Sequence, residues 1–276
     1  MKKLAEVQTP NSRWPETFDK GMIMVLVTAT IIGIVYFMAQ ANRGFLYLIS
    51  NGLPPLLAFV TLVPAVAGLV KFGVNARNRI SIIWLGYSIG MLFWLLGEST
   101  WALYALWYSI PVPFPSIADG FWLIGYVPLI SAMLILAWPF REFFSSRKMV
   151  IVVLAVFALA GLLLLTLIPP TYESEIGQDV VAVIVGLAYP LLDVSLLLVA
   201  LPLLLLFRGG TFWRPFLIIT VGLILTLIGD VLFTWTTLSS VYYDGSYLEL
   251  FFHWSYLTLA YGFYLRLRNS TRGLLE

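Results

Sequence analysis

Long apolar stretches, each followed by a short polar one, make up nearly the whole chain. Eight of them approach or exceed the roughly 20 residues that an α-helix needs to cross a bilayer. They span residues 21–41, 45–72, 80–104, 117–138, 149–168, 179–207, 212–238 and 247–267. The stretches are continuous and lack the alternating pattern of β-barrel strands. The pattern therefore predicts an all-α integral membrane protein with eight transmembrane helices.

The composition indicates that lipid is the solvent for most of the chain. The sequence is 61% hydrophobic and 11% charged, with a mean hydropathy of +0.94, whereas soluble domains are about half apolar and a quarter charged. The connections between the apolar stretches are too short to hold a soluble domain. The lipid bilayer is therefore the first expected partner.

The positions of the basic residues predict the orientation in the membrane. Of the 16 Lys and Arg residues, all but Arg43 lie before the first apolar stretch, at or beyond the end of the last, or in or next to every second connection. Because cytoplasmic loops retain Lys and Arg, both termini are predicted to be cytoplasmic. The net charge of +2 mostly reflects these basic residues at the cytoplasmic side of the membrane, so it does not indicate a nucleic-acid-binding surface. We expect no nucleic-acid partner.

The lack of cysteine and the single histidine, His253, limit the possible chemistry. A disulfide, a thiolate nucleophile and a Cys-ligated metal are excluded, and one chain cannot form a His-rich metal site. The sequence also lacks a nucleophile–base pair and a phosphate-binding loop. We therefore expect no metal, no cofactor and no catalytic residue, and we do not predict an enzyme.

The two halves of the chain share an order of uncommon residues. Three anchors recur after about 130 to 135 residues, with Pro55-Leu56-Leu57 matching Pro190-Leu191-Leu192, Gly97-Glu98 matching Gly229-Asp230, and Asp119 with Tyr126 matching Glu249 with Tyr256. Chance recurrence in Leu-rich helices is the alternative. Duplication predicts two tandem four-helix repeats at 21–140 and 149–268, joined by a linker at 141–148 and flanked by cytoplasmic tails at 1–20 and 269–276. Since each repeat has an even number of spans, the expected pseudo-twofold axis runs along the membrane normal.

Three acidic residues lie inside the predicted spans. A charged side chain near the middle of a bilayer costs about 2.5 to 3.5 kcal/mol on insertion scales, and the basic residues are assigned to the rims. Glu98, Asp193 and Asp230 are therefore expected to be protonated, hydrated, bound by hydroxyl groups or occupied by a cation. A structural role, in which these carboxyl groups join helices through hydrogen bonds, is the alternative.

Helical spacing brings aromatic and polar residues to the same faces as these acids. Tyr87, Trp94, Glu98 and Trp101 share one face of the third span. We expect such faces to line an outward-opening cleft. The candidate ligand-binding residues are Glu98, Asp119, Asp193, Asp230, Glu249, Trp101, Trp122, Tyr126, Tyr189, His253, Trp254 and Tyr256.

These candidates also have structural interpretations. Trp and Tyr gather at membrane interfaces whatever the function. Asp119 and Glu249 stand at predicted helix starts, where a carboxylate stabilises the helix dipole. His253 fits an interfacial hydrogen bond as well as a ligand contact. The sequence leaves both interpretations open.

Several short motifs carry a family resemblance. The segment from Trp101 to Tyr126 is rich in aromatic residues and contains Pro111, Pro113-Phe114-Pro115-Ser116, Ala118-Asp119 and Gly125-Tyr126. Together with Tyr189-Pro190-Leu191-Leu192-Asp193 and Gly229-Asp230, it resembles the multi-span N-terminal sensory regions that precede GGDEF diguanylate cyclase or histidine-kinase domains in many bacterial signalling proteins. The resemblance implies a sensing module in the cytoplasmic membrane of a prokaryote. Since only eight residues follow Arg268, the output is expected to come from a separate protein.

Three functions are compatible with these features. The first is a stand-alone sensory or binding module for a small ligand, with a cation favoured by charge and by cation–π contact. The second is a proton- or cation-coupled small-molecule transporter, because parallel repeats and midplane acids are also found in carriers. The third is a membrane scaffold or assembly subunit that works with a partner protein.

Overall fold

The computed structural model describes residues 19–144, 146–171 and 179–270, and every regular element within these ranges is helical. Most of the predicted cytoplasmic tails, residues 1–18 and 271–276, lie outside the described residues. A π-helical turn, Leu103–Trp107, ends the third helix, and a 3₁₀ turn, Trp138–Phe140, follows the fourth. The helices are α1 (Lys20–Ala39), α2 (Arg43–Phe72), α3 (Arg79–Ala102), α4 (Ile117–Ala137), α5 (Arg141–Phe144), α6 (Arg147–Thr171), α7 (Val180–Leu206), α8 (Trp213–Leu238) and α9 (Glu249–Ser270).

The long helices coincide with the apolar stretches of the sequence, with ends that shift by only a few residues. Six of them, α1 to α4, α7 and α8, are long and apolar enough to cross a membrane. The shorter stretch Met149–Leu163 of α6 is also apolar, and α9 is less apolar because it contains residues such as Glu249 and Arg266. The chain is thus a multi-pass α-helical membrane protein.

Polar residues between the apolar stretches fix where several helices begin. The first N–H groups of a helix have no partner within it, and a side-chain oxygen at the preceding position can accept from them. Asp19, Asn42, Asn78 and Asp179 do so for α1, α2, α3 and α7. At α4 Ser116 is the cap. These short polar side chains mark where the helices that follow them begin.

The helices pack as hairpins around a common centre. Within each half, α3 packs against α4 and α8 packs against α9, and the halves meet where α2 contacts α9 and α4 contacts α7. By contrast, α1 contacts only α2 and α9 appreciably, and it exposes large apolar side chains such as Phe37. The centre of the bundle is therefore formed by α2, α3, α4, α7, α8 and α9.

Two glycines allow α3 and α4 to approach closely. A Cβ atom added to Gly90 would lie 3.0 Å from the carbonyl oxygen of Gly125, and a Cβ added to Gly125 would lie 3.0 Å from that of Gly90. Small residues at such crossings are what lets membrane helices pack backbone against backbone. The crossing of α3 and α4 thus depends on the absence of side chains at these two positions.

Gly90→Val is expected to destabilise the protein by about 1 to 3 kcal/mol, because the added methyl groups force the two backbones apart. Thermal unfolding of the purified protein in detergent measures the change. Gly120→Ala in α4 is the matched control, since a Cβ there meets nothing within 4 Å. Equal midpoints for Gly90→Val and the wild type would contradict the close approach.

Arg266 is buried within α9, which corrects the expectation that every basic residue lies outside the helical spans. Its side chain is 3% exposed, and its Nη1 donates to the Tyr87 hydroxyl at 3.2 Å. The guanidinium also lies 5.2 to 5.5 Å from the ring centroids of Trp84, Tyr87 and Phe216, within cation–π range. Tyr87 therefore faces Arg266 and does not share a cleft with Glu98. Seven residues of helix, about 10 Å of rise, separate Tyr87 from Trp94 at the edge of that cleft.

Asp19 joins the start of α1 to α8 and α9. Its carboxylate accepts from the Tyr261 hydroxyl, pairs with Arg214 at 3.1 Å and lies 3.7 Å from Arg268. Burial raises the pKa of Asp19, but the hydrogen bonds from Tyr261 and the Met22 N–H, together with the two guanidinium groups, outweigh it and hold the pKa below its usual value. The start of α1, the start of α8 and the end of α9 consequently lie on the same side of the bundle.

Candidate functional site

A cavity of about 100 Å³ lies at the centre of the bundle, between the helices that connect the two halves. Its wall contains the carboxyl groups of Glu98, Asp230 and Glu249, and no Lys or Arg is among its lining residues. The remaining wall is mostly aromatic, with hydroxyl groups from Ser50 and Ser255. The ring-bearing residues that line it are Trp94, Trp101, Trp122, Tyr126, Tyr189, Phe233, Tyr242, Phe252, His253 and Tyr256.

Most of the candidate residues predicted from the sequence line this cavity. The exceptions are Asp119, Asp193 and Trp254, which lie outside its wall. The Nε1 of Trp254 donates to the Ala29 carbonyl of α1, so this side chain faces away from the centre. The candidates in the wall are Glu98, Trp101, Trp122, Tyr126, Tyr189, Asp230, Glu249, His253 and Tyr256.

Some wall residues were not predicted from the sequence. Phe252 could have been found, because it stands in the second half where Trp122 stands in the first, at the same spacing as Asp119 and Glu249. Tyr242 carries no such signal, because it lies in the connection between α8 and α9. Only the folding of that connection over the cavity brings it into the wall.

Glu98 is held between α3, α4 and α9. The Tyr256 hydroxyl donates to its Oε1 at 2.6 Å, and the indole N–H of Trp122 supports the same carboxyl group. Gly97 makes room for this arrangement, since an added Cβ would lie 2.6 Å from the Trp122 ring. Glu98 as a residue is half-buried, and it lines the cavity.

Asp230 belongs to a second carboxyl cluster. The Tyr126 hydroxyl lies 3.0 Å from Oδ2 of Asp230 and 2.7 Å from Oδ1 of Asp193. Asp193 is 1% exposed, and its Oδ2 has no hydrogen-bond donor among the described residues. One tyrosine hydroxyl of α4 thus contacts the carboxyl groups of both α7 and α8.

Glu249 accepts four hydrogen bonds and has no acceptor capacity left. Its Oε2 accepts from the hydroxyls of Tyr36 at 2.9 Å and Ser50 at 2.7 Å. Its Oε1 accepts from the Tyr242 hydroxyl at 3.0 Å and the Gly245 N–H at 2.8 Å. An ionised carboxylate offers about four lone-pair sites. Glu249 therefore joins α1, α2 and the α8–α9 connection, which is a structural task.

His253 is buried behind Glu249. Its Nδ1 lies 2.5 Å from the Glu249 carbonyl oxygen, and because a carbonyl oxygen can only accept, Nδ1 carries the hydrogen. Its Nε2 lies 3.3 Å from the Tyr36 hydroxyl. With no hydrogen on Nε2, this nitrogen can only accept, so it competes with Glu249 for the single hydroxyl hydrogen of Tyr36. His253 also lines the cavity.

Asp119 caps its own helix. It accepts from the N–H and the hydroxyl of Ser116 at 2.6 and 2.9 Å, which completes a capping box. The Tyr189 hydroxyl donates to its other oxygen at 2.7 Å. Asp119 thus positions Tyr189, which does line the cavity.

Comparison of the chain with family models, with curated proteins and with solved structures gave no match. Within the described ranges, no three His, Cys, Asp or Glu residues are grouped so as to hold a metal ion.

Proposed function

We propose that the chain is a membrane-embedded binding module whose central cavity accepts a small organic cation. The observation that carries this proposal is a wall that contains carboxyl groups, many aromatic rings and no Lys or Arg. Since Glu249 is saturated by four donors, direct contact with a bound cation is left to Glu98 and Asp230. Both carboxyl groups keep acceptor capacity that faces the cavity.

The aromatic rings suit a cation better than a hydrated metal ion. Trp101 lies 5.9 Å from Trp122 and 6.1 Å from Phe233, and Phe233 lies 5.0 Å from Tyr242, measured between centroids. These ring–ring contacts show that the aromatic side chains are clustered in the cavity wall. Ring faces attract cations within about 6 Å, and quaternary ammonium groups are commonly bound in aromatic cages. Charge from Glu98 and Asp230 combined with this cage favours an organic ammonium ion.

The resemblance to bacterial sensory regions extends this proposal to signalling in the cytoplasmic membrane of a prokaryote. The cavity lies where α2 meets α9 and α4 meets α7, so a bound ligand contacts both halves of the chain. A ligand that contacts two bodies can shift their relative arrangement by its differential affinity for the two states. The signal would then pass to a separate partner protein.

The same arrangement supports two tandem four-helix repeats related by a pseudo-twofold axis. Tyr256 donates to Glu98, and its counterpart Tyr126 contacts Asp230, the counterpart of Glu98. Each tyrosine thus reaches the acid of the other half. Exchange of this kind is expected from duplication and not from chance recurrence of Gly-acid pairs.

Close helix contacts repeat with the same spacing. An added Cβ would lie 2.6 Å from the Trp122 ring at Gly97 and 2.6 Å from the Phe252 ring at Gly229. The equivalence of the α2–α9 and α4–α7 contacts fits the same axis. The axis would run along the membrane normal, because both halves have four long helices.

Eight spans with both termini in the cytoplasm complete the proposed topology. With 25 and 22 residues, α6 and α9 are long enough to cross a bilayer beside the six more apolar helices. The ion pair of Asp19 with Arg214 supports a common side for the start of α1 and the α7–α8 connection. That side carries nearly all of the basic residues, as cytoplasmic sides do.

Choline and its neutral isostere, 3,3-dimethylbutan-1-ol, test the binding proposal. We expect choline to raise the thermal unfolding midpoint of the purified protein, by about 2.7 kcal/mol of added stability at a hundredfold excess over Kd. The neutral isostere is expected to have a much smaller effect because it lacks the charge. Glu98→Gln should abolish most of the gain from choline. Glu142→Gln, on the exposed surface of α5, is the matched control.

Other outcomes of this experiment favour the other functions. If choline still stabilises Glu98→Gln as much as the wild type, the Glu98 carboxylate does not take part in binding. Gradient-driven uptake of labelled choline into proteoliposomes would indicate a transporter. If amides at Glu98, Asp193 and Asp230 change nothing except stability, the chain is a scaffold or assembly subunit.

A further inference from the structure

The Asp193 and Asp230 carboxyl groups require more hydrogens than their neighbours supply. The Tyr126 hydroxyl has one hydrogen but lies within hydrogen-bonding distance of both groups, at 2.7 and 3.0 Å. It can donate to only one of them. The two carboxyl groups are also within hydrogen-bonding reach of each other, and two carboxylates cannot hydrogen-bond unless one carries a proton.

Among the residues that the structure describes, no Lys or Arg lines the adjoining cavity to relieve this deficit. From α4 the cluster faces Tyr126 and Asp119, and from α7 it faces Tyr189. The described apolar stretch of α6, Met149–Leu163, contributes no titratable side chain. Two further elements contribute titratable groups. Glu98 comes from α3, and Tyr256, Glu249 and the imidazole of His253 come from α9.

We propose that Asp193, Tyr126 and Asp230 form a proton-binding site that holds one exchangeable proton, and that a cation entering the cavity releases it. Asp230 lines the cavity and Asp193 lies behind it. A cation beside Asp230 stabilises the ionised form of the pair, so the proton leaves to water as the cation arrives. One positive charge replaces another, and the net charge of the site is unchanged.

The site exists in one half of the chain only. By the spacing of the Pro55 and Pro190 motifs, the position equivalent to Asp193 is Ala58, which is buried. Glu98 therefore has its tyrosine, Tyr256, but no second carboxyl group at the corresponding place. The proton is accordingly assigned to the pair on α7 and α8.

Infrared spectroscopy of the full chain in nanodiscs detects the proton without any ligand. We expect a carbonyl stretching band of a protonated carboxylic acid at neutral pH, shifted in heavy water and missing in Asp193→Asn. The asparagine amide can donate to Asp230 and so replaces the proton. Glu98→Gln is the control and should leave this band in place. Absence of a band that depends on Asp193 would overturn the proposal.

Choline then tests the exchange of the proton for a cation. The exchange rests on the cation binding proposed above, whereas the presence of the proton does not. Below the pH at which the site loses its proton, the affinity of the wild type for choline should rise about tenfold per pH unit. In Asp193→Asn the affinity should hardly depend on pH. Choline that binds without removing the band overturns the exchange. Choline that does not bind at all contradicts the proposed function and the exchange, while the band still reports on the proton site.

Discussion

Glu249→Gln is expected to lower the thermal unfolding midpoint more than an amide at Glu98. The four donors to Glu249 come from Tyr36, Ser50, Tyr242 and the Gly245 N–H. A glutamine side chain offers one oxygen, and its NH₂ group would face two of these donors. Each buried donor left without an acceptor costs about 1 to 3 kcal/mol, so the total is about 2 to 6 kcal/mol.

Glu98→Gln is the matched control for this substitution. Glu98 has two donors, Tyr256 and Trp122, and this half-buried residue can reorient an amide. Its midpoint is therefore expected to stay close to that of the wild type. Differential scanning fluorimetry of both variants in the same detergent makes the comparison, and equal losses would show that Glu249 does not hold α1, α2 and the α8–α9 connection together.

Tyr126→Phe is expected to destabilise the protein more than the equivalent change, Tyr256→Phe. Loss of the Tyr126 hydroxyl removes the only donor that the structure shows for Asp193 and Asp230 within the described residues. Two buried carboxyl groups are left facing each other, and the loss of a hydrogen bond to a charged group costs about 1.5 to 3 kcal/mol. Loss of the Tyr256 hydroxyl leaves Trp122 beside Glu98, so about 1 kcal/mol is expected.

The penalty in Tyr126→Phe should be smaller at acid pH. A carboxyl group that takes up a proton can donate to its neighbour and replace the lost hydroxyl. Unfolding midpoints of the wild type and both variants at pH 5 and pH 8 provide the measurement. A penalty that is the same for both tyrosines, or that does not depend on pH, would contradict the shared contact with two acids.

The helices could be predicted from the sequence because lipid imposes a simple rule. Within the membrane every backbone polar group must be paired inside the helix, so each apolar stretch becomes a helix and a residue such as Asn42 or Asn78 marks its start. The capping role of Asp119 also has a local signal, because Ser116 precedes it by three residues. Both features depend on neighbours in the sequence.

The site could be predicted only in part, because its contacts are distant in sequence. The acids and many rings were found from their rarity and helical spacing, but the saturation of Glu249 depends on Tyr36 and Ser50, 213 and 199 residues away. Likewise, Tyr87 shares a helical face with Trp94, yet it lies at a different depth in the bundle, where its hydroxyl contacts Arg266. Periodicity predicts the face of a helix on which a residue lies. It does not predict the depth in the bundle at which that residue meets a partner.

The two tyrosines at the centre of the bundle sit in unlike surroundings. Tyr126 contacts two carboxyl groups, whereas Tyr256 contacts one that also receives the indole of Trp122. Phe252, the counterpart of Trp122, offers no N–H group. The cavity wall is thus chemically different around its two central tyrosines. A ligand with one charged and one neutral end would therefore bind in a single favoured orientation.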